Sequence, residues 1–263
     1  MTSTLALHMR ALQERQRNAF IPFLTAGFPD DQRFRALLAS AAQHADVIEV
    51  GLPFSDPVAD GPTICAASEK ALLAGATTER LFEALESATS LPPTIIMTYL
   101  NPLLAYGTEA FLQRSAQAGV QGLLLTDLPP EDGGALLARA ADHGIASVLL
   151  VSPTTSEERL QRIASLATGF LYCIAVRGIT GARPVTTDDA RQTVSRLRAY
   201  THLPVVVGFG ISTPEHVRRT CEFADGVVVG SALVDWIAQH ADEADLESGF
   251  REQLAQLAAA AHS

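Results

Sequence analysis

Short runs of apolar, largely β-branched residues recur about every thirty positions along the chain, the spacing expected when strands alternate with helices. They are Phe20–Thr25, Val47–Val50, Thr94–Met97, Gly122–Thr126, Ala146–Val151, Phe170–Ile174, Pro204–Val207 and Gly226–Val229. Each run is continuous rather than alternating, the pattern of a strand buried on both faces, as in a parallel sheet. The stretches between them carry apolar residues at helical spacing: Asp31–His44, Thr78–Ser87, Pro130–His143, Ser156–Leu166, Thr187–Tyr200 and Pro214–Glu222. Asp242–Ala261 predicts a last helix, and the opening MTSTLALHMRALQERQ a short amphipathic one. Eight strands alternating with helices predict a single (β/α)8 TIM barrel over residues 1–263, with an extra N-terminal helix. An open doubly wound sheet is the other arrangement of such elements, but it would leave sheet edges and one strand too many for the common orders.

The unusual residues collect in the loops that follow strands: Thr25-Ala-Gly-Phe-Pro29, Tyr99-Leu-Asn-Pro102, Asp127-Leu-Pro-Pro130, Ser152-Pro-Thr-Thr155 and Gly178-Ile-Thr-Gly-Ala-Arg-Pro184. The loops that lead into strands are plainer. This asymmetry puts the active face at the C-terminal ends of the strands. The strongest chemistry lies in Glu49-Val-Gly-Leu-Pro-Phe-Ser-Asp-Pro-Val-Ala-Asp-Gly-Pro62. Glu49 falls inside an apolar strand, where a lone carboxylate is costly. Asp60 ends a loop stiffened by three prolines, and it can alternatively cap the helix beginning near Pro62. Glycine turns follow the last two strands, Gly208-Phe-Gly-Ile-Ser212 and Gly230-Ser231. In barrels this is the usual place for a phosphate, held by backbone N–H groups at a short helix. The segment Gly178–Pro184 reads as a lid that closes over substrate.

Composition narrows the chemistry. The net charge is −10 with no basic block, which argues against nucleic acid and anionic membrane as partners. No apolar run approaches the ~20 residues needed to span a bilayer, and the N-terminus does not read as a signal peptide. Three scattered cysteines, Cys65, Cys173 and Cys221, suggest reduced thiols and a cytoplasmic location. Lys70 is the single lysine among nineteen basic residues, and it falls in a helix rather than at a strand end, a poor position for Schiff-base chemistry. The histidines precede strands or lie in helices and termini, so no metal site is expected. Acid–base chemistry by two carboxylates on a phosphorylated substrate remains.

Together these residues resemble the tryptophan synthase alpha subunit family over essentially the whole chain. The matching pieces include AFIPFLTAGFPD (19–30), DVIEVGLPFSDPVADGPTI (46–64), MTYLNPLLAYG (97–107), TDLPPED (126–132), SPTTSEERL (152–160), GFLYCIAVRGITGAR (169–183) and VVVGFGISTPEHV (205–217). The resemblance implies retro-aldol cleavage of indole-3-glycerol phosphate to indole and glyceraldehyde 3-phosphate. In that reading Glu49 is the general acid–base and Asp60 stabilises charge at the indole nitrogen. Phe23, Tyr99, Asp127 and Tyr172 match pocket positions, and Thr180 matches a lid residue that orders the acidic loop. Gly181, Gly210, Gly230 and Ser231 match phosphate binders. Pro53 and Asp56 match the contact with a beta subunit in an alpha2beta2 heterotetramer. No cofactor is implied in this chain; pyridoxal phosphate belongs to the beta partner. Cys65 stands where the family nearly always has glutamine, Ala175 replaces a usual serine, and Arg177 places a bulky charge before the lid. These departures keep two alternatives open: a stand-alone lyase releasing indole, and a weakly active barrel that mainly activates a beta subunit.

Overall fold

A computed structural model describes residues 3–174, 187–208 and 210–263. The strand segments are β1 (Ala19–Thr25), β2 (Ile48–Gly51), β3 (Thr94–Thr98), β4 (Val120–Leu125), β5 (Ala146–Ser147), β6 (Leu149–Val151), β7 (Leu171–Cys173), β8 (Val205–Val207) and β9 (Gly226–Val229). All the pairs are parallel, and the lateral order is β5-β4-β3-β2-β1-β9-β8-β7-β6. The two ends of that order are consecutive pieces of one extended segment, so the sheet curls round and meets itself there. This is the expected (β/α)8 barrel, with its fifth strand split at Val148. The split has a local cause. The Ser147 N–H donates to the Thr168 hydroxyl, and Ser147 O accepts from the Thr168 and Gly169 N–H groups. β5 pairs with β4 and β6 with β7, so the break marks a change of partner.

Twelve helices flank the strands among the described residues: α1 (Thr4–Glu14), α2 (Asp31–Ala42), α3 (Pro62–Leu73), α4 (Thr78–Ser87), α5 (Leu100–Tyr106), α6 (Thr108–Gln117), α7 (Gly134–Asp142), α8 (Glu157–Leu166), α9 (Thr187–Leu197), α10 (Pro214–Cys221), α11 (Ser231–His240) and α12 (Leu246–Ala261). Several begin at side-chain caps that satisfy a free N–H: Asp30 for α2, Thr77 for α4, Ser156 for α8 and Thr213 for α10, the last followed by Pro214. Two helices start later than their apolar periodicity suggested. α7 begins at Gly134 rather than Pro130, because the Asp132 and Gly133 N–H groups turn back to Pro129 O. α12 begins at Leu246 rather than Asp242, since α11 ends at His240 and a turn separates the two.

The N-terminal helix has a structural task. Leu5, Met9 and Leu12 of α1 are buried at the N-terminal end of the barrel. Leu5 reaches the faces of Gly122 and Gly169, where a β-carbon would crowd it. Burying each such side chain contributes about 1.5–3 kcal/mol. A second closure acts through Asp46, which is 6% exposed. It accepts the Phe20 N–H at 2.9 Å, the Arg17 guanidinium at 2.7 Å and His262 Nε2 at 2.8 Å. One carboxylate thus ties the start of β1 and the C-terminus to the same end, away from the loops that follow the strands.

Candidate active site

Glu49 is the second residue of β2, in register between Phe23 of β1 and Ile95 of β3, and it is fully buried. Among the described residues neither of its carboxylate oxygens has a partner at hydrogen-bond geometry. Burial first, and the neighbouring charge of Asp60 second, push its pKa from the ordinary 4.5 up to about 8. The Tyr172 hydroxyl on β7 lies close enough to favour the charged form, although it falls outside hydrogen-bond geometry in this structure. At neutral pH the group is therefore mostly a carboxylic acid, ready to give a proton into an enclosed site.

Asp60 stands in the loop after β2, half-buried, with its pKa raised by desolvation and partly restored by the Tyr99 hydroxyl. It does not cap α3. Gly61 holds the cap position, with Pro62 in the first turn, so the carboxylate is free for other work. The Tyr99 hydroxyl accepts the Ala59 N–H at 3.0 Å, fixing the backbone one residue before the acid. Cys65 lies behind the same loop, its Sγ 3.5 Å from Asp60 O, and burial followed by the Asp60 charge raises its pKa. Its thiol is thus held protonated beside the acid.

The glycine turns lie on the same face. Gly230 holds the N-cap position of α11 without a side-chain cap bond, and Ser231 is the first helical residue. The first N–H groups of a helix have no intrahelical partner and attract anions. Phe23 lies directly beneath Gly230. Gly210 has φ +68°, a left-handed conformation that glycine adopts without strain. Thr180 and Gly181, the lid, and the departures Ala175 and Arg177 lie outside the described residues.

The sequence matches the family model described as tryptophan synthase alpha chain over residues 9–262. The tryptophan synthase alpha chain of Halorhodospira halophila is 44% identical over 259 residues, covering 97% of this chain and 95% of that one. That of Gloeobacter violaceus is 46% identical over 252 residues, covering 94% and 88%. A solved structure of Mycobacterium tuberculosis tryptophan synthase superposes with a TM-score of 0.91 at 34% identity, covering 100% of both chains. This chain belongs to the tryptophan synthase alpha chain family. Its activity is the lyase reaction of that family, the retro-aldol cleavage of indole-3-glycerol phosphate to indole and glyceraldehyde 3-phosphate in tryptophan biosynthesis.

Against the residue roles that the tryptophan synthase alpha family implies, the geometry sorts the remaining positions. Phe23, Glu49 and Tyr172 are brought together inside the barrel, and Tyr99 joins Asp60 at its mouth. Asp127 is different: it is exposed, and its carboxylate accepts the Leu100 N–H at 2.8 Å. Pro53 is buried rather than exposed, because Leu52 still donates to Met97 O at the end of the sheet and holds the following residue inward. Asp56 is exposed, with the Ser55 hydroxyl on its carboxylate, and Val58 beyond it is 81% exposed.

Two glycines that lie within these motifs have a packing role the motifs did not show. A β-carbon on Gly51 would strike the Phe23 ring, and one on Gly208 would strike the Tyr172 hydroxyl. Both clear space for aromatic side chains next to Glu49. Their positions at strand ends were visible in the chain, but their opposite numbers on other strands were not. No helix among the described residues is long and apolar enough to cross a membrane.

Proposed function

We propose that Glu49 and Asp60 perform the cleavage between them. The observation that carries this reading is a fully buried carboxylic acid inside the barrel, without a hydrogen-bond partner among the described residues, with a second acid near it at the mouth. Protonated Glu49 delivers its proton to indole C3, which places positive charge on the ring nitrogen. Asp60, as an anion, accepts the indole N–H and stabilises that charge. Glu49, now a carboxylate, takes the proton of the hydroxyl beside the breaking bond. The electrons of that carbon–carbon bond return to the ring, indole leaves, and the former hydroxyl carbon becomes the aldehyde of glyceraldehyde 3-phosphate. The ring itself is the electron sink, so the step draws on no cofactor in this chain. Phe23, Tyr99 and Tyr172 supply pocket walls. Gly210, Gly230 and Ser231, with Gly181, hold the phosphate, and Thr180 orders the acidic loop.

We further propose a beta subunit, carrying pyridoxal phosphate, as partner in an alpha2beta2 heterotetramer of the cytoplasm. The support is a groove of about 380 Å³ lined by Pro53, Phe54, Ser55, Leu72, Asn101 and Pro102. Asp56 and the exposed Val58 and Leu104 lie at neighbouring positions. Such an apolar rim is a feature of interaction surfaces. The same loop carries Asp60, so docking there can favour its productive conformation.

Indole release from indole-3-glycerol phosphate tests both proposals. Asp60→Asn is expected to lose about 10²–10³-fold in kcat, the cost of removing a preorganised charge-stabilising group. Adding the beta subunit of the same organism is expected to raise wild-type turnover at least about tenfold, a coupling of about 1.4 kcal/mol. Near-wild-type turnover by Asp60→Asn overturns the catalytic assignment. Absence of a complex and of any rate change on mixing overturns the partner assignment and supports a stand-alone lyase.

A further inference from the structure

We propose that Asp127 is a positioning residue: it caps α5 from the neighbouring loop and, through Tyr99, holds the loop that carries Asp60. The inference rests on the reading of Asp60 as the anion at the indole nitrogen. Tyr99 occupies the N-cap position of α5 but makes no side-chain cap bond. Its side chain is committed elsewhere, with the hydroxyl on the Ala59 N–H and within reach of the Asp60 carboxylate. The first free N–H of the helix, that of Leu100, is taken instead by Asp127 Oδ1 at 2.8 Å. A carboxylate at a helix start satisfies a donor that has no partner within the helix and meets the positive end of its dipole.

The consequence follows from chain connectivity. Leu100 is bonded to Tyr99, so fixing the Leu100 N–H fixes the peptide from which the Tyr99 ring projects. Phe54 supports that ring from the loop side, with centroids 5.2 Å apart. The Thr126 N–H, beside Asp127, donates to Thr98 O at 3.0 Å and anchors the loop after β4 to the end of β3. Three successive loops are thereby tied in a row, from Asp127 to Leu100, through Tyr99, to Ala59 and Asp60. Glu49 and Cys65 also face Asp60, and of the three neighbours Tyr99 is the one that favours its charged form. The Asp127 carboxylate is spent on backbone at an exposed rim, which separates it from a residue that grips substrate.

The test is the pH profile of kcat/KM for wild type, Tyr99→Phe, Asp127→Ala, Asp127→Asn, the double variant Tyr99→Phe/Asp127→Ala, and Asp60→Asn as reference. Tyr99→Phe removes a donor to the Asp60 anion, so the acidic limb moves to higher pH. Asp127→Ala is expected to shift that limb in the same direction and to lower kcat/KM by about tenfold, within what a small misplacement of a catalytic group costs. Asp127→Asn keeps an acceptor for Leu100 and is expected to restore the wild-type limb. The double variant is expected to match Tyr99→Phe alone. An unshifted limb with only KM raised in both Asp127 variants overturns the proposal and makes Asp127 a substrate contact. Additive losses in the double variant also overturn it. If Asp60→Asn itself keeps wild-type turnover, the failure lies in the catalytic reading and not in the link between the loops. If Asp127→Ala does not fold, the Asp127→Asn limb and the Tyr99→Phe shift decide.

Discussion

Replacing Glu49 with glutamine separates what catalysis needs from what the fold would prefer. The wild-type carboxyl is fully buried, lacks a hydrogen-bond partner among the described residues, and ionises near pH 8 rather than at the ordinary 4.5. The folded-state pKa lies above the unfolded one, so the unfolded chain loses the proton first. Below about pH 4.5 both states are neutral and the group costs nothing through ionisation. Between that pH and about 8, wild-type stability falls by about 1.4 kcal/mol per pH unit, and the loss then levels off. The total is about 5 kcal/mol, and about 3 kcal/mol is already lost at pH 7. Glutamine has nearly the same shape and does not ionise. Glu49→Gln should therefore be more stable than wild type by an amount that grows with pH, while cleavage falls by about 10²–10⁴-fold through loss of the acid–base. Urea unfolding of both proteins from pH 4.5 to 8.5, analysed at equal m-value, measures the difference. The carboxyl carbon resonance of Glu49, assigned by its absence from the variant, reads the ionisation directly. A stability difference that does not vary with pH, or a resonance titrating below pH 6, would refute the reasoning.

Other outcomes follow from the same structure. Gly208→Ala places a β-carbon against the Tyr172 hydroxyl beside Glu49 and should cost about 1–3 kcal/mol in stability through overpacking, with at least tenfold lower turnover; thermal melts with steady-state assays check it, and unchanged turnover removes Tyr172 from the site. Gly230→Asp sets a negative side chain at the start of α11, and calorimetry should show glycerol phosphate binding weakened at least about tenfold, or about 1.4 kcal/mol. Asp46→Ala leaves the Phe20 N–H, Arg17 and His262 without their acceptor and should destabilise by about 2–4 kcal/mol near neutral pH. The wild-type Asp46 pKa is lowered: desolvation alone would raise it, but the hydrogen bonds from His262 and the Phe20 N–H and the nearby Arg17 charge outweigh it. That contribution is present above about pH 4 and is lost as pH falls through the folded-state value, so urea midpoints of variant and wild type should converge in acid.

Much of the fold was legible because its signals are local. Continuous apolar runs mark strands that need burial on both faces, and Thr78–Ser87 and Gly226–Val229 begin and end where the pattern placed them. Helix starts blurred where prolines and turns compete, as at Pro129 and Asp242. Glu49 stood out for the same local reason: a carboxylate inside an apolar strand demands an explanation wherever the strand lies. Asp60 was visible as a second acid nearby, but the chain alone left it equally able to cap α3.

Tertiary structure decided the rest, because it depends on which residues distant in sequence become neighbours. Closure of the barrel brings Tyr172 to Glu49, and the pairing of β1 with β2 and of β7 with β8 makes Gly51 and Gly208 necessary. The pairing of β3 with β4 sets Asp127 beside Leu100, so that one oxygen of its carboxylate meets a backbone N–H of the neighbouring loop. The pKa of Glu49 likewise belongs to no segment. It arises from the completeness of burial and from the charge of Asp60, and both exist only once eight strands have closed around them. Element type and the presence of two unusual acids were written in the chain through periodicity and solvation cost. Their mutual distances, protonation and supports came from packing, which no local pattern encodes.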